Sequence, residues 1–268
     1  MTLSAERQKI RAYVNSAERE IHRLRIVPRA VRRFPFDSVG LATLSKAFAI
    51  ANACLTLLAS DCPDEAYGLS RSLVECVTNL RYLTSDPSEQ DRRTHNFVKF
   101  AVADKAFWYY QALEAAKAPK EKTELRAYAK QMGIIANPKL ARQHWSGEAS
   151  GFVWSTALLD HPLDGPATRD HRKKAYAVDY YQTSYFVHCS LPAIDNYYVE
   201  DGVPFRISTS SGYRETHQST LFVILISVHH AIAYVLYGIN ADRPARLTAL
   251  FEITLAKLWP IPTQHKRG

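Results

Sequence analysis

Apolar residues recur at intervals of three and four along most of the chain, which is the spacing of an amphipathic helix. With capping residues and prolines as boundaries, this pattern predicts helices over residues 4–27, 40–60, 63–83, 89–116, 121–131, 172–189, 215–240 and 243–259. Ser4 is the predicted N-cap of the first helix. The segments 40–60 and 215–240 have almost no polar face, which indicates central, buried helices.

Two stretches break this helical pattern. Residues 137–170 contain scattered prolines and glycines and read as a long irregular segment, a type often used for function. Residues 205–208 have the composition of a short strand. The predicted fold class is therefore all-α, a helical bundle. Residues 1–35 are predicted to form an N-terminal amphipathic helix and basic connector, and residues 36–268 a single helical bundle domain.

The segment between Glu215 and Asp242 has no Asp, Glu, Lys or Arg and is long enough to cross a bilayer. His229 and His230 lie at its centre, where lipid would make them costly. We therefore predict a buried core helix and do not expect integral membrane association. A membrane-associated helical protein that uses residues 221–239 is the alternative.

The net charge of +8 and the isoelectric point near 9.3 favour an acidic partner such as RNA, a nucleotide or an anionic membrane face. A basic surface kept for solubility explains the charge equally well, because it is spread along the chain. The four cysteines form no CxxC pair, which argues against a zinc or redox motif. They indicate a reducing, cytoplasmic location, and the polar N-terminus does not resemble a secretion signal.

Several common enzyme classes lack their motifs here. The chain has no glycine-rich phosphate loop, no GxSxG elbow and no HExxH pair, which counts against common NTPases, serine hydrolases and zincins. His161 and His171 lie near Asp160, Asp164 and Asp170, but no spacing matches a known ligand pattern. No metal and no cofactor are expected.

The helix predicted over residues 172–189 carries polar and aromatic groups where a core helix would carry leucine and isoleucine. Tyr181 and Tyr185 share a face, and so do Ser184 and His188. His188 suits general acid–base catalysis near neutral pH. A core histidine hydrogen-bonded to Ser184 or Tyr181 is the competing interpretation.

Two other polar clusters lie upstream. Arg71 and Glu75 are one helical turn apart, so they form either a simple surface ion pair or an anion site in which Glu75 orients Arg71. Arg81 is a second candidate donor. His144 and Trp145 lie in the long irregular segment, where they form either a ligand site or a core plug with an exposed histidine.

Taken together, the motifs Arg71-xxx-Glu75, His144-Trp145-Ser146-Gly147 and Ser184-xxx-His188 resemble a bacterial family of helical proteins described only as a domain of unknown function. The resemblance covers about residues 40–190. That family is distantly similar to HEPN bundles, many of which are metal-independent ribonucleases of toxin and phage-defence systems. HEPN nucleases carry an arginine about five residues before the histidine, whereas residues 182–184 here are Gln, Thr and Ser.

The resemblance implies a HEPN-like core with extra N- and C-terminal helices, a homodimer, and RNA as the partner. It implies His188 as general base for a ribose 2′-hydroxyl and Arg71 as phosphate binder. Glu75 would orient Arg71, and His144 would be a second proton-transfer group. Trp145, Ser184, Tyr181, Tyr185 and Arg81 would contact the ligand. The alternative is a non-catalytic module that binds a nucleotide or another anionic ligand.

Overall fold

The computed structural model describes residues 2–28, 35–134, 161–163, 198–199, 206–207 and 214–259. These residues form seven helices: α1 (Leu3–Arg23), α2 (Pro35–Ala59), α3 (Pro63–Thr84), α4 (Gln90–Ala115), α5 (Pro119–Gln131), α6 (Arg214–Gly238) and α7 (Ala245–Leu258). Two short strands, β1 (Tyr198–Val199) and β2 (Arg206–Ile207), pair antiparallel. The all-α prediction is confirmed, and the predicted short strand is present as β2.

Helix α6 is the centre of the bundle. It packs most extensively on α3 and also on α2 and α1, while α2 packs on α3. Its core side chains are fully or almost fully buried, namely Leu221, Ile224, Leu225, Val228, Ile232 and Val235. Burial of each large aliphatic side chain contributes about 1.5–3 kcal/mol, so α6 is the main source of cohesion in the described bundle.

Among the described residues, two helices are long and apolar enough to cross a membrane, Pro35–Ala59 in α2 and Thr216–Gly238 in α6. The most apolar window of α6 is 78% buried within the bundle, and that of α2 is 44% buried. Core helices of soluble proteins have the same composition, so length and hydropathy alone do not assign either helix to a bilayer.

The helix starts follow from local chemistry, and several differ from the sequence prediction. The N-cap of α1 is Thr2, whose hydroxyl accepts a hydrogen bond from the Ala5 N–H at 3.3 Å, so the prediction of Ser4 was wrong. Helix α2 begins at Pro35 and not near residue 40, because the fixed φ of proline suits a first helical position. Pro63 and Pro119 start α3 and α5 in the same way.

Gly238, the last residue of α6, lies where three helices approach most closely. A Cβ at this position would lie 2.2 Å from Phe36 Cε1 and 2.7 Å from Gln90 Nε2. Both neighbouring side chains are held in place, because Phe36 is buried in the core and Gln90 Nε2 donates to the Gly238 carbonyl at 3.1 Å.

We therefore expect Gly238→Ala to lower the free energy of unfolding by about 1–3 kcal/mol through overpacking. Urea denaturation measures this change. Gly133→Ala is the comparison, because its added Cβ meets no atom within 4 Å, although its φ of +62° adds backbone strain of about 1 kcal/mol. A Gly238→Ala variant no less stable than Gly133→Ala would contradict the packing described.

Candidate functional site

Most residues predicted to form the site lie outside the described part of the chain. These are His144, Trp145, Tyr181, Ser184, Tyr185 and His188. Their roles stay predictions, as does their convergence with the described helices.

Arg71 and Glu75 form an ion pair on α3, with Arg71 Nε 3.1 Å from Glu75 Oε1. Arg71 is half-buried and Glu75 is exposed. A helical pair of this kind contributes about 0.2–0.5 kcal/mol to stability. The geometry also orients the guanidinium, which is the arrangement that an anion site would need.

Arg81, by contrast, is buried and faces α6. Its Nη1 donates to the Tyr234 hydroxyl at 2.8 Å, and its guanidinium carbon lies 5.8 Å from the centroid of the Tyr234 ring. Ten residues separate Arg81 from Arg71, or about 15 Å along the helix axis. The two arginines therefore lie in different parts of the molecule. Arg81 contacts Tyr234, which lines a cavity beside α6.

This cavity, which we call the α6 cavity, has a volume of about 400 Å³. It is lined by Leu163, His229, His230, Ala233, Tyr234, Leu236, Tyr237, Ala241, Asp242 and Arg243. His230 is exposed and stacks against Tyr234, with ring centroids 6.0 Å apart and an angle of 30° between the ring planes. Three rings, His230, Tyr234 and Tyr237, thus form an aromatic wall along one side of α6.

The His161 ring packs against two of these three rings. Its ring lies 4.6 Å from that of Tyr234 and 5.0 Å from that of Tyr237, between centroids. Its Nδ1 accepts a hydrogen bond from the Leu163 N–H at 3.0 Å, so Nε2 carries the proton and donates to Thr84 Oγ1 at 3.0 Å. Both ring nitrogens are therefore engaged in holding residues 161–163 against α3.

The metal site considered around His161 gains no support from this geometry, because the imidazole has no nitrogen left for a cation. Within the ranges that the structure describes, no group of three or more His, Cys, Asp or Glu side chains is arranged to hold a metal. The other members considered, Asp160, Asp164, Asp170 and His171, lie outside those ranges.

His229 links α6 to the turn before α7. Arg243 Nη2 lies within hydrogen-bonding distance of both ring nitrogens and closest to Nε2. A guanidinium only donates, so Nε2 is the acceptor, and the proton on Nδ1 is donated to the Tyr13 hydroxyl oxygen at 3.3 Å. The Phe251 ring stacks on the imidazole with centroids 3.5 Å apart.

Burial, with smaller contributions from Arg243 and His230, lowers the pKa of His229 to about 3. Burial likewise raises the pKa of Tyr13 above its ordinary value. His229 and Tyr13 are therefore both neutral at physiological pH. The group that orients Arg243 is thus a neutral imidazole and not a carboxylate.

His229 does not compensate the charge of Arg243, and the carboxylate of Glu252 acts on it only from beyond ion-pair distance. Among the described residues no carboxylate lies within ion-pair distance of its guanidinium, although Asp242 lines the same cavity. Its buried Nε also has no hydrogen-bond partner in that part of the chain. Burial lowers the pKa of Arg243, but an arginine keeps its charge in proteins. The α6 cavity therefore has a fixed positive charge at its wall.

Sequence reasoning missed most of this site. The sequence analysis used His229 and His230 only as an argument against a membrane span. It did not predict Arg243 or Tyr13 as site residues. The signal that could have found them is a pair of histidines at the centre of an otherwise uncharged helix, since such groups need buried partners. Of the predicted site residues in the described part, Arg81 alone contacts this cavity's wall, through Tyr234.

A comparison with protein families matches residues 37–204 to a family of unknown function, DUF5677. The match includes α2 to α5 and ends before α6. Arg81 and His161 lie within the matched residues, whereas the aromatic wall and Arg243 lie C-terminal to them. No curated protein and no solved structure matches the chain.

Proposed function

Since the chain belongs to the DUF5677 family, to which no function is assigned, we propose that it binds nucleotide units of RNA in the α6 cavity. The observation that carries the proposal is the guanidinium of Arg243, which is oriented by the neutral imidazole of His229 at the cavity wall. The residues that line the α6 cavity form a cationic part and an aromatic part.

The cationic part suits a phosphate. Guanidinium groups bind phosphate oxygens through parallel N–H donors, and such charge-assisted hydrogen bonds are about twice as strong as neutral ones. A carboxylate partner would cancel the charge that attracts the phosphate. His229 fixes the side chain without cancelling its charge, and Arg243 lines the cavity.

The aromatic part suits a base. Tyr237 and His230 present rings to the α6 cavity, and stacking on such rings tolerates every base because each has a π-face. A volume of about 400 Å³ is in the range of sites for small ligands, so it accommodates a single nucleotide unit. The net charge of +8 adds long-range attraction for RNA.

A thermal-shift experiment tests this proposal. We expect a nucleoside monophosphate to raise the unfolding midpoint more than the same concentration of nucleoside or inorganic phosphate, because only the nucleotide uses both parts of the site. A ligand at a hundred times its Kd adds about 2.7 kcal/mol to the native state. An unchanged midpoint with all three ligands, at millimolar concentration, would contradict the proposal.

The resemblance to HEPN bundles supports a catalytic extension, in which the protein is a cytoplasmic, metal-independent ribonuclease of a toxin or phage-defence system that acts as a homodimer. His188 would abstract the proton of a ribose 2′-hydroxyl, and Arg71, oriented by Glu75, would bind the phosphate. The ion pair between Arg71 and Glu75 is consistent with that orientation.

Incubation of the protein with total RNA and a tRNA pool in EDTA tests the extension. We expect cleavage by the native protein and none by His188→Ala, with both proteins melting at the same temperature. Equal cleavage by the variant would exclude His188 as the base. Nucleotide binding without any cleavage would favour the non-catalytic binding module.

A further inference from the structure

Helices α4 and α5 form a hairpin with large aromatic side chains on its surface. Trp108 is 64% exposed, Tyr128 is 55% exposed and Phe107 is 41% exposed. Single exposed apolar residues are ordinary, but clustered aromatic surface commonly marks an interaction site. Phe107 and Trp108 are neighbours on α4, and Tyr128 lies on α5, the next helix.

A connection of three residues, 116–118, joins α4 to α5. Trp108 is seven residues before the end of α4 and Tyr128 nine residues after the start of α5. At about 1.5 Å per residue, Trp108 lies about 10 Å from the connection along α4 and Tyr128 about 13 Å from it along α5. Ala106 of α4 and Ala129 of α5 are buried, and the rings of Phe107 and Trp108 meet edge to face at 5.4 Å.

The hairpin is also held in one shape at its connection. The Glu121 carboxylate accepts hydrogen bonds from the backbone N–H groups of Lys117 at 3.1 Å and Ala118 at 3.3 Å. These bonds cap α5 and fix the path of the chain between the helices. A surface on this hairpin is therefore largely preorganised, which lowers the entropic cost of binding.

The charge of the hairpin indicates its partner. Between residues 105 and 130 six basic residues stand against three glutamates. The basic residues are Lys105, Lys117, Lys120, Lys122, Arg126 and Lys130. Glu121 is engaged in the cap, and Glu124 lies 4.0 Å from Lys120. Two copies of this positive surface repel each other, whereas a polyanion is attracted.

We propose that the α4–α5 hairpin is a stacking surface for a single-stranded RNA that extends from the α6 cavity. This inference rests on the proposed function. Helix α4 begins at the cavity end of α6, where Gln90 bonds the carbonyl of Gly238 next to Tyr237. From Gln90 to Trp108 the helix extends about 27 Å. Exposed rings among lysines are the combination that single-stranded nucleic-acid surfaces use.

Equilibrium binding of a fluorescent twelve-nucleotide single-stranded RNA and of a nucleoside monophosphate tests the inference. We expect the double variant Trp108→Ala/Tyr128→Ala to bind the RNA about tenfold more weakly and the mononucleotide unchanged. Phe222→Ala, which removes an exposed aromatic of α6, is the matched control and should alter neither affinity. Unchanged melting temperatures show that all variants are folded.

The outcomes separate this inference from the function on which it rests. If neither ligand binds the native protein, the proposed function fails. If the mononucleotide binds and the double variant leaves the RNA affinity unchanged, the hairpin is not the RNA surface. Two other results, each with unchanged RNA affinity, would overturn the inference. If the double variant no longer binds vesicles of phosphatidylserine and phosphatidylcholine, the surface binds a membrane. If it no longer forms a dimer in sedimentation, the surface binds a second copy of the chain.

Discussion

Replacing Arg243 by methionine is expected to weaken binding of a nucleoside monophosphate by about tenfold to a hundredfold. A hydrogen bond to a charged group contributes about 1.5–3 kcal/mol, and each 1.4 kcal/mol is a factor of about ten in Kd. Methionine keeps much of the length of the side chain while removing its charge and donors. Isothermal titration calorimetry measures the affinity, and urea denaturation shows whether the variant remains folded.

Arg246→Met is the matched control for this substitution. Arg246 lies three residues further along, is largely exposed, pairs with Glu20 at 3.2 Å and does not line the α6 cavity. The Arg246→Met substitution removes the same charge from the protein, so it tests general electrostatic attraction. Equal weakening by both variants would mean that net charge, and not the position of Arg243, determines nucleotide affinity.

Acidification from neutral pH to about pH 5 is expected to remove about 2 kcal/mol of stability through His229 alone. The folded protein holds this imidazole neutral, with a pKa of about 3, whereas the ordinary value is 6.5. As the pH falls below 6.5 the unfolded chain takes up a proton that the folded chain does not. The contribution of His229 to stability is therefore complete above pH 6.5 and is lost progressively down to about pH 3.

His229→Gln isolates this effect. The amide oxygen of glutamine can accept the hydrogen bond from Arg243 but does not titrate. Burial also lowers the pKa of His217, but that group and the carboxylates are common to both proteins and cancel in the comparison. Urea unfolding at pH 7.5 and at pH 5 should show a smaller loss of stability in the variant, by about 2 kcal/mol. Parallel losses in both proteins would contradict a neutral His229.

Much of the described fold was predictable because its helices are amphipathic or wholly apolar over several turns. Residues 63–83 and 89–116 coincide closely with α3 and α4 for this reason. Helix starts were less certain, since they depend on single groups. The hydroxyl of Thr2 caps the start of α1, and Pro35 begins α2.

The site was much less predictable, because its contacts join residues far apart in the chain. Tyr13 and His229 are 216 residues apart, and Arg81 and Tyr234 are 153 apart. Local spacing contains no information about such pairs. Arg71 and Glu75 were found because an interval of four residues is itself local, and that same interval is common to ordinary surface pairs.

The central claim is that the α6 cavity binds a nucleotide through Arg243. A crystal structure of the protein with a nucleoside monophosphate tests it most directly. We expect a phosphate oxygen within hydrogen-bonding distance of the Arg243 guanidinium and the base against the ring of Tyr237 or His230. A nucleotide bound elsewhere, or a cavity without nucleotide in crystals soaked well above the measured Kd, would contradict the claim.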